Sequence, residues 1–149
     1  DNHPESNYGR AKPMLQALGL PLSRTLRVHT ELTVEAAADQ YHKDIDEFVA
    51  KRGDVILGLL GLGADGHTAS LFGRNDLTRG EGRWAVSVVH DDFLRVSVTP
   101  LLLSRVEHLV FLVSGSDKAA IAEKLVAQPE LVTAGLAVAG NPNVELWIV

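Results

Sequence analysis

The segment that decides the fold is Asp54-Val55-Ile56-Leu57-Gly58-Leu59-Leu60-Gly61-Leu62-Gly63-Ala64-Asp65-Gly66-His67. After Asp54, six apolar or glycine residues predict a β-strand that is covered on both faces. The glycines that follow, at positions 61, 63 and 66, allow the backbone to approach a ligand closely. We therefore expect His67 at the carboxyl end of a buried strand, where open α/β sheets bind their ligands.

Strand and helix patterns alternate on both sides of this segment. Apolar or alternating runs predict strands at 24–29, 54–60, 84–89, 94–98, 108–113 and 144–149. Helical spacing and capping residues predict helices at 6–18, at 33–51 and up to Ala127, with short helices at 67–72 and after Pro100 and a polar loop at 74–83. The order predicts an α/β fold: a doubly wound, mainly parallel, Rossmann-like sheet flanked by helices, with an antiparallel hairpin near 84–99.

Composition narrows the class of protein. The chain has 149 residues, 46% of them hydrophobic and 22% charged, and a formal net charge of -5. Its basic residues are scattered, so we expect no nucleic-acid partner, and no apolar run approaches the roughly 20 residues of a membrane helix. The absence of cysteine excludes disulfides and thiolate zinc sites, and the lack of a signal peptide favours the cytoplasm.

Length and the first residues bear on domain organisation. Residues 1–149 are enough for one domain but short for a complete doubly wound enzyme. The chain opens on a polar stretch at 1–8 without an initiator methionine. We therefore expect a single domain that represents the C-terminal two thirds of a larger one.

His67 and Asp65 are the candidate catalytic pair. An imidazole at the start of the predicted helix 67–72 would feel the positive end of the helix dipole and stay neutral, which suits a proton acceptor. Asp65 would orient the imidazole, bind a sugar hydroxyl or accept amide hydrogen bonds in the turn. The alternative for His67 is a purely structural role in capping the helix or bonding the loop.

The three glycines also satisfy the G-x-G-x-x-G pattern of dinucleotide-binding proteins. A Rossmann site needs an acidic residue at the end of a second strand about 20 residues further on. That interval holds an arginine-containing polar stretch instead, so the sequence argues against a dinucleotide.

Lys118 is the candidate anion ligand. It follows the predicted strand 108–113 and lies in the first turn of the next predicted helix, where a bound anion would offset an unfavourable cation. The amides at 116–118 and the ammonium would together hold a phosphate. We expect this junction and the one at 61–67 to face the same crevice.

The stretch from Gly61 to Phe72 resembles the signature of the 6-phosphogluconolactonases. Ser6-Asn7-Tyr8, Arg95–Thr99 and Val113–Ala119 agree with further motifs of that family in order and spacing. The resemblance covers nearly the whole chain and about the C-terminal two thirds of the usual family length. Gly73 and the stretch 132–140 depart from the family pattern.

The resemblance implies hydrolysis of 6-phosphoglucono-δ-lactone to 6-phosphogluconate in the pentose phosphate pathway, without metal or organic cofactor. His67 would act as the general base, and Lys118, with Arg95 as a weaker candidate, would bind the phosphate. Backbone amides from Gly63 to Gly66 are our own candidate for stabilising the oxyanion. The expected partner is a phosphosugar lactone, and the expected oligomeric state is a monomer.

Two alternatives remain at this point. A glucosamine-6-phosphate deaminase would share the Asp-Gly-His core and the lysine turn, but that related family places a glutamate where this chain has Phe72. A non-catalytic sugar-phosphate-binding domain would keep the pocket without the chemistry.

Overall fold

The computed structural model describes residues 6–51, 53–91 and 93–149. Residues 1–5 of the predicted opening loop and Asp92 of the predicted hairpin link lie outside the described residues. Within the described chain the α-helices are α1 (Asn7–Ala17), α2 (Val34–Ala50), α3 (Arg74–Arg79), α4 (Pro100–Leu103), α5 (Ala119–Ala127) and α6 (Thr133–Val138). The strands are β1 (Val55–Leu60), β2 (Ala85–His90), β3 (Phe93–Val98), β4 (Val106–Val113) and β5 (Val144–Ile148).

The main sheet is parallel and has the order β1-β4-β5. Leu60 at the end of β1 pairs with Phe111 near the end of β4. The loops that follow these two strands therefore leave the same edge of the sheet, because parallel strands end together. The predicted mainly parallel α/β fold is confirmed, as are its strands at 54–60, 108–113 and 144–149.

One face of this sheet forms the principal core. Leu109 and Phe111 of β4 are almost fully buried and pack with Leu60, Ala122 and Leu125. The last two residues come from α5, and α6 adds further buried side chains. Removing one of these central side chains costs about 2–5 kcal/mol in typical cores.

The other face is less covered. Leu57 and Leu59 of β1 and Trp147 of β5 are each more than half exposed. Register places Leu57 beside His108 of β4, which is also exposed. The prediction that β1 is covered on both faces is therefore wrong for the described residues, because an apolar run shows burial tendency without showing what packs on each side.

The antiparallel hairpin of β2 and β3 is a separate two-stranded sheet, which confirms the prediction for 84–99. One of its faces packs on α2, where Ile45, Trp84 and Ala85 are buried together. The indole Nε1 of Trp84 donates to Asp46 at 2.8 Å, and the Trp84 amide donates to His42 Nδ1 at 3.1 Å. The opposite hairpin face is left for the candidate site.

The first two helices follow the sequence signals closely. The Ser6 hydroxyl caps α1 by accepting from the Gly9 amide at 3.0 Å. Thr33 caps α2 in the same way through the Ala36 amide. Both predicted helices, 6–18 and 33–51, are confirmed within one or two residues.

Three local predictions are wrong. The run 24–29 is not a strand: no strand in the described part of the chain pairs with it, and the Arg27 guanidinium bonds Glu31 at 3.2 Å. No helix spans 67–72, where Ala69 has a left-handed φ of 53° and Thr68 bridges to Leu71. The helix begins later, as α3, inside the stretch 74–83 that was predicted to be a loop, because Asp76 accepts hydrogen bonds from the amides at the helix start.

None of the described helices is long and apolar enough to cross a bilayer.

Candidate active site

The glycine loop, residues 61–67, connects β1 to the rest of the site. The Gly63 amide donates to the His67 carbonyl at 2.9 Å, and the Gly66 amide donates to the Gly63 carbonyl at 2.9 Å. The buried Thr68 hydroxyl donates to the Gly61 carbonyl at 2.9 Å and ties the end of the loop back to its start. The loop is thus closed on itself and holds Asp65 and His67 in a fixed relation.

Asp65 and His67 form a close pair. Oδ1 of Asp65 lies 2.6 Å from Nδ1 of His67 and also accepts from the His67 amide at 3.2 Å. Partial burial raises the pKa of Asp65, but the hydrogen bonds from the His67 ring and amide outweigh it, and the pKa lies below its ordinary value. An ionised carboxylate only accepts, so Nδ1 carries the proton and Nε2 has the free lone pair.

The free edge of the imidazole is accessible. The His67 side chain is 28% exposed, and none of the residues that the structure describes hydrogen-bonds its Nε2. Such an arrangement equips Nε2 to accept a proton, while the carboxylate stabilises the imidazolium that results. This supports an acid-base role by a different physical route from the expected helix dipole, because no helix starts at His67.

Gly63 is required by this pair. A Cβ at Gly63 would overlap the His67 imidazole and come 2.5 Å from Oδ1 of Asp65. The ring therefore packs directly on the backbone of the loop. Since the Gly63 amide already donates within the loop, this glycine contributes close approach and not a free donor.

Gly66 faces inward. It is buried, has a positive φ of 89°, and its carbonyl accepts from the amide of Ala134 at 2.8 Å. A Cβ there would lie 3.0 Å from Val132 and 3.2 Å from Ile121. Gly66 thus joins the glycine loop to α5 and α6, and its amide, like that of Gly63, is used inside the loop. The predicted substrate contact of both glycines stays a prediction.

Residues 68–72 anchor the loop to the free face of the hairpin. The Ser70 amide donates to the buried Ser97 hydroxyl at 3.1 Å, and that hydroxyl donates to the Val98 carbonyl at 2.9 Å. The Phe72 amide donates to the Asp76 carboxylate at 3.0 Å. These bonds fix both ends of a short segment that has no regular structure of its own.

Three rings line up beside this segment. The centroids of His67 and Phe72 are 4.4 Å apart with an interplanar angle of 42°. Phe72 in turn stacks on His90 at the end of β2, with centroids 3.6 Å apart and planes within 4°. Phe72 therefore contacts both imidazoles.

Lys118 lies at the second junction of the same sheet edge. It ends a single 3-10 turn, Ser116–Lys118, and stands immediately before α5 instead of within its first turn. Its amide donates to the Gly115 carbonyl at 3.2 Å, so that amide is not free to bind an anion as predicted. Ile121, one turn further on, packs near Gly66, which brings this junction beside the glycine loop.

Arg95 lies on strand β3 of the hairpin. Its guanidinium stands over the Phe93 ring at 5.1 Å, and it lines a groove of about 570 Å³. Ser6, Asn7 and Tyr8 line the same groove. Because alternate residues of a strand share a face, Arg95 is on the hairpin face that also carries Ser97. No hydrogen bond or ion pair links it to the glycine loop among the described residues.

Sequence reasoning missed two supports of the site. Ser97 holds the segment after His67, and its place in the alternating strand β3 signalled which face it shares but not its partner. His90 falls within the predicted hairpin near 84–99, and the sequence gives it no role. Its position beside Phe72 depends on how the hairpin packs on the loop, and spacing along the chain carries no such information.

Fold and site together define an α/β protein with an Asp–His pair at the carboxyl edge of a parallel sheet. A family model described as glucosamine-6-phosphate isomerases/6-phosphogluconolactonase matches residues 1–144. The chain therefore belongs to this family.

Individual relatives agree. The chain is 33% identical over 138 residues to 6-phosphogluconolactonase of Homo sapiens, which covers 87% of this chain and 52% of the human protein. It superposes on the crystal structure of devB protein with a TM-score of 0.81 and 29% identity, covering 99% of this chain and 65% of the other. The structure of 6-phosphogluconolactonase from Plasmodium vivax gives a TM-score of 0.82 at 19% identity, with 99% and 64% covered, and shows the shared fold. The chain spans about half the length of the curated relatives it matches.

Proposed function

We propose that this chain hydrolyses 6-phosphoglucono-δ-lactone to 6-phosphogluconate, with His67 as the general base. The observation that carries the proposal is the 2.6 Å contact between Asp65 Oδ1 and His67 Nδ1, which leaves Nε2 to accept a proton. The names of the relatives supply the substrate class.

In the proposed step, Nε2 of His67 removes a proton from water as the water oxygen bonds to the lactone carbonyl carbon. The tetrahedral intermediate then collapses, the bond to the ring oxygen breaks, and His67 returns its proton to that oxygen. Positioned proton transfer of this kind contributes roughly 10² to 10⁴-fold. Asp65 keeps the tautomer and stabilises the imidazolium between the two transfers. The step as written uses no metal or organic cofactor.

The oxyanion needs donors that are not already engaged. Gly63 and Gly66 use their amides within the loop. Among the described residues, no partner is found for the exposed amide of Ala64, whereas the Asp65 amide interacts with its own carboxylate. We assign oxyanion binding to the backbone of this turn. Gly63 and Gly66 determine the conformation of the turn.

The phosphate end is assigned to Lys118, on the neighbouring loop of the same sheet edge. Arg95 remains the second candidate, since its groove includes the Ser6-Asn7-Tyr8 motif. The proposal retains a cytoplasmic monomer acting on a phosphosugar lactone in the pentose phosphate pathway, as the sequence led us to expect.

Phe72 favours the lactonase over a deaminase. A phenyl ring 4.4 Å from the His67 ring cannot accept a proton or orient the imidazole by a hydrogen bond. Asp65 supplies that orientation instead. The deaminase would need a carboxylate in the place of Phe72.

The test is lactone hydrolysis by this chain with spontaneous hydrolysis subtracted and the human relative as positive control. His67→Gln should lower turnover to the spontaneous rate, and His108→Gln, which alters an exposed histidine of β4, should leave it unchanged. Equal turnover in His67→Gln and the parent chain would refute the base assignment. Binding of 6-phosphogluconate without any turnover would instead favour the non-catalytic sugar-phosphate-binding domain.

A further inference from the structure

His90 lies outside the signature that points to the site, yet it is joined to His67 through one ring. The contact from His90 to Phe72 is close and nearly parallel, with 3.6 Å between centroids and a 4° angle. Phe72 then meets His67 at 4.4 Å. We propose that His90 is a positioning residue that holds Phe72 against the catalytic imidazole. This inference rests on the proposed function of His67.

The geometry explains why His67 needs such support. One side of its ring packs on Gly63, where even a Cβ would overlap it, and Nδ1 is held by Asp65. The His67 ring also contacts the ring of Phe72. Rotation of the His67 ring away from the glycine loop is therefore opposed by the Asp65 hydrogen bond and by the Phe72 ring.

Phe72 is fixed at its backbone but needs a partner for its ring. Its amide donates to Asp76, which sets the main chain and leaves the side-chain torsions free. Phe72 is partly exposed, and its ring stacks on His90. At this separation the two rings are in van der Waals contact, and each restricts the torsional freedom of the other.

His90 is itself held by the hairpin. It is paired with Phe93 across the end of β2 and β3, and the adjacent Asp91 carboxylate lies 3.6 Å from its Nε2. The hairpin also binds the other end of the segment through Ser97 and Ser70. A rigid two-stranded element thus positions both the backbone and the ring that border His67.

The test combines turnover with nuclear magnetic resonance of the His67 ring. In His90→Ala we expect kcat to fall about tenfold with KM within about twofold, because a displaced base loses rate more than affinity. His90→Phe preserves a stacking ring and should retain kcat within about twofold. Val89→Ala shortens an exposed side chain on the other face of the same strand and should match the parent chain.

The spectroscopic arm separates this inference from the proposed function. The Cδ2–H and Cε1–H resonances of His67 should shift in His90→Ala, since the Phe72 ring current changes, and should stay near their parent positions in His90→Phe. Unshifted resonances in His90→Ala overturn the inference even if His67→Gln abolishes turnover. Equal loss of kcat in His90→Ala and His90→Phe also overturns it, and turnover unaffected by His67→Gln overturns the proposed function instead.

Discussion

The Gly63 amide donates a 2.9 Å hydrogen bond to the carbonyl oxygen of His67. This bond places the smallest residue of the loop directly under the imidazole, where there is no room for a side chain. The geometry of the Asp65–His67 pair therefore depends on a residue that has no functional group. The glycines of such a motif are therefore as informative for mechanism as the histidine they surround.

Gly63→Ala is expected to separate Asp65 from His67. The new Cβ would overlap the imidazole and approach the carboxylate oxygen to 2.5 Å, so one of the two side chains must move. We expect kcat to fall about tenfold to a hundredfold, as for displacements near 1 Å in other enzymes.

Gly61→Ala is the matched control, because a Cβ at Gly61 meets nothing within 4 Å. Steady-state kinetics of the two variants measure whether kcat falls only in Gly63→Ala. Equal activity in both variants would show that a side chain at position 63 does not displace Asp65 or His67, contrary to the expectation.

The sequence predicted those parts of the site that periodicity and local motifs specify. The strand 54–60 and the hairpin near 84–99 follow from apolar runs and alternation, and the cap at Ser6 follows from residue type. The predicted helix 67–72 is wrong because Ala69 adopts a left-handed conformation. A positive φ is uncommon for alanine, so the sequence does not predict it.

The features that the sequence did not predict depend on packing between residues far apart in the chain. The run 24–29 has the alternation of a strand, but none of the strands that the structure describes pairs with it. The stack of His90 on Phe72 joins residues from two elements, and only the packing of the hairpin on the loop brings them together. Sequence periodicity shows which side chains share one face of a strand or helix. It does not show which faces pack together, and the contacts around His67 depend on that packing.

The Asp65–His67 pair should make stability depend on pH. The folded-state pKa of Asp65 is below its ordinary value of 3.8, so the pair contributes stability that is fully present above that pH. The contribution is lost as pH falls through the lower folded pKa. Asp65→Asn should therefore be less stable than the parent chain at pH 6, and the difference should shrink below pH 3.8.

Urea unfolding of both proteins across this pH range measures the effect. The Asp65 side chain is 55% exposed, so solvent screening keeps the difference small. A difference that stays constant down to pH 2 would show that the carboxylate charge is not what Asp65 contributes.

Lys118→Ala is expected to raise KM for the lactone with little change in kcat. An ammonium that binds a phosphate away from the reacting carbonyl contributes equally to substrate and transition state. The expected rise is about tenfold, corresponding to about 1.4 kcal/mol of lost binding. Lys118→Arg should restore part of the affinity, because the charge is kept.

Lys124→Ala provides the matched control, since Lys124 is an exposed lysine of the same helix region. Initial-rate measurements over a range of lactone concentrations separate KM from kcat. An unchanged KM in Lys118→Ala would remove this residue from the phosphate site, and a fall confined to kcat would assign it to the chemical step.

Asn141→Ala is expected to destabilise the fold without altering the site. The buried Asn141 amide nitrogen donates to the carbonyls of Leu103 at 2.8 Å and Val106 at 2.6 Å, and its oxygen accepts from the Asn143 amide at 2.8 Å. Loss of three hydrogen bonds in a buried place should lower the free energy of unfolding by about 3 kcal/mol. Asn75→Ala, at an exposed position of α3, should change it by less than about 0.5 kcal/mol.

Thermal and urea unfolding give these free energies, and lactone hydrolysis at a temperature where both variants stay folded gives their kcat. Asn141 bridges the end of α4, the start of β4 and the turn before β5, so its loss should loosen the amino end of the main sheet. The glycine loop leaves the opposite, carboxyl edge of that sheet. A folded Asn141→Ala protein with strongly reduced kcat would therefore contradict the view that the site is held by its own loop and the hairpin.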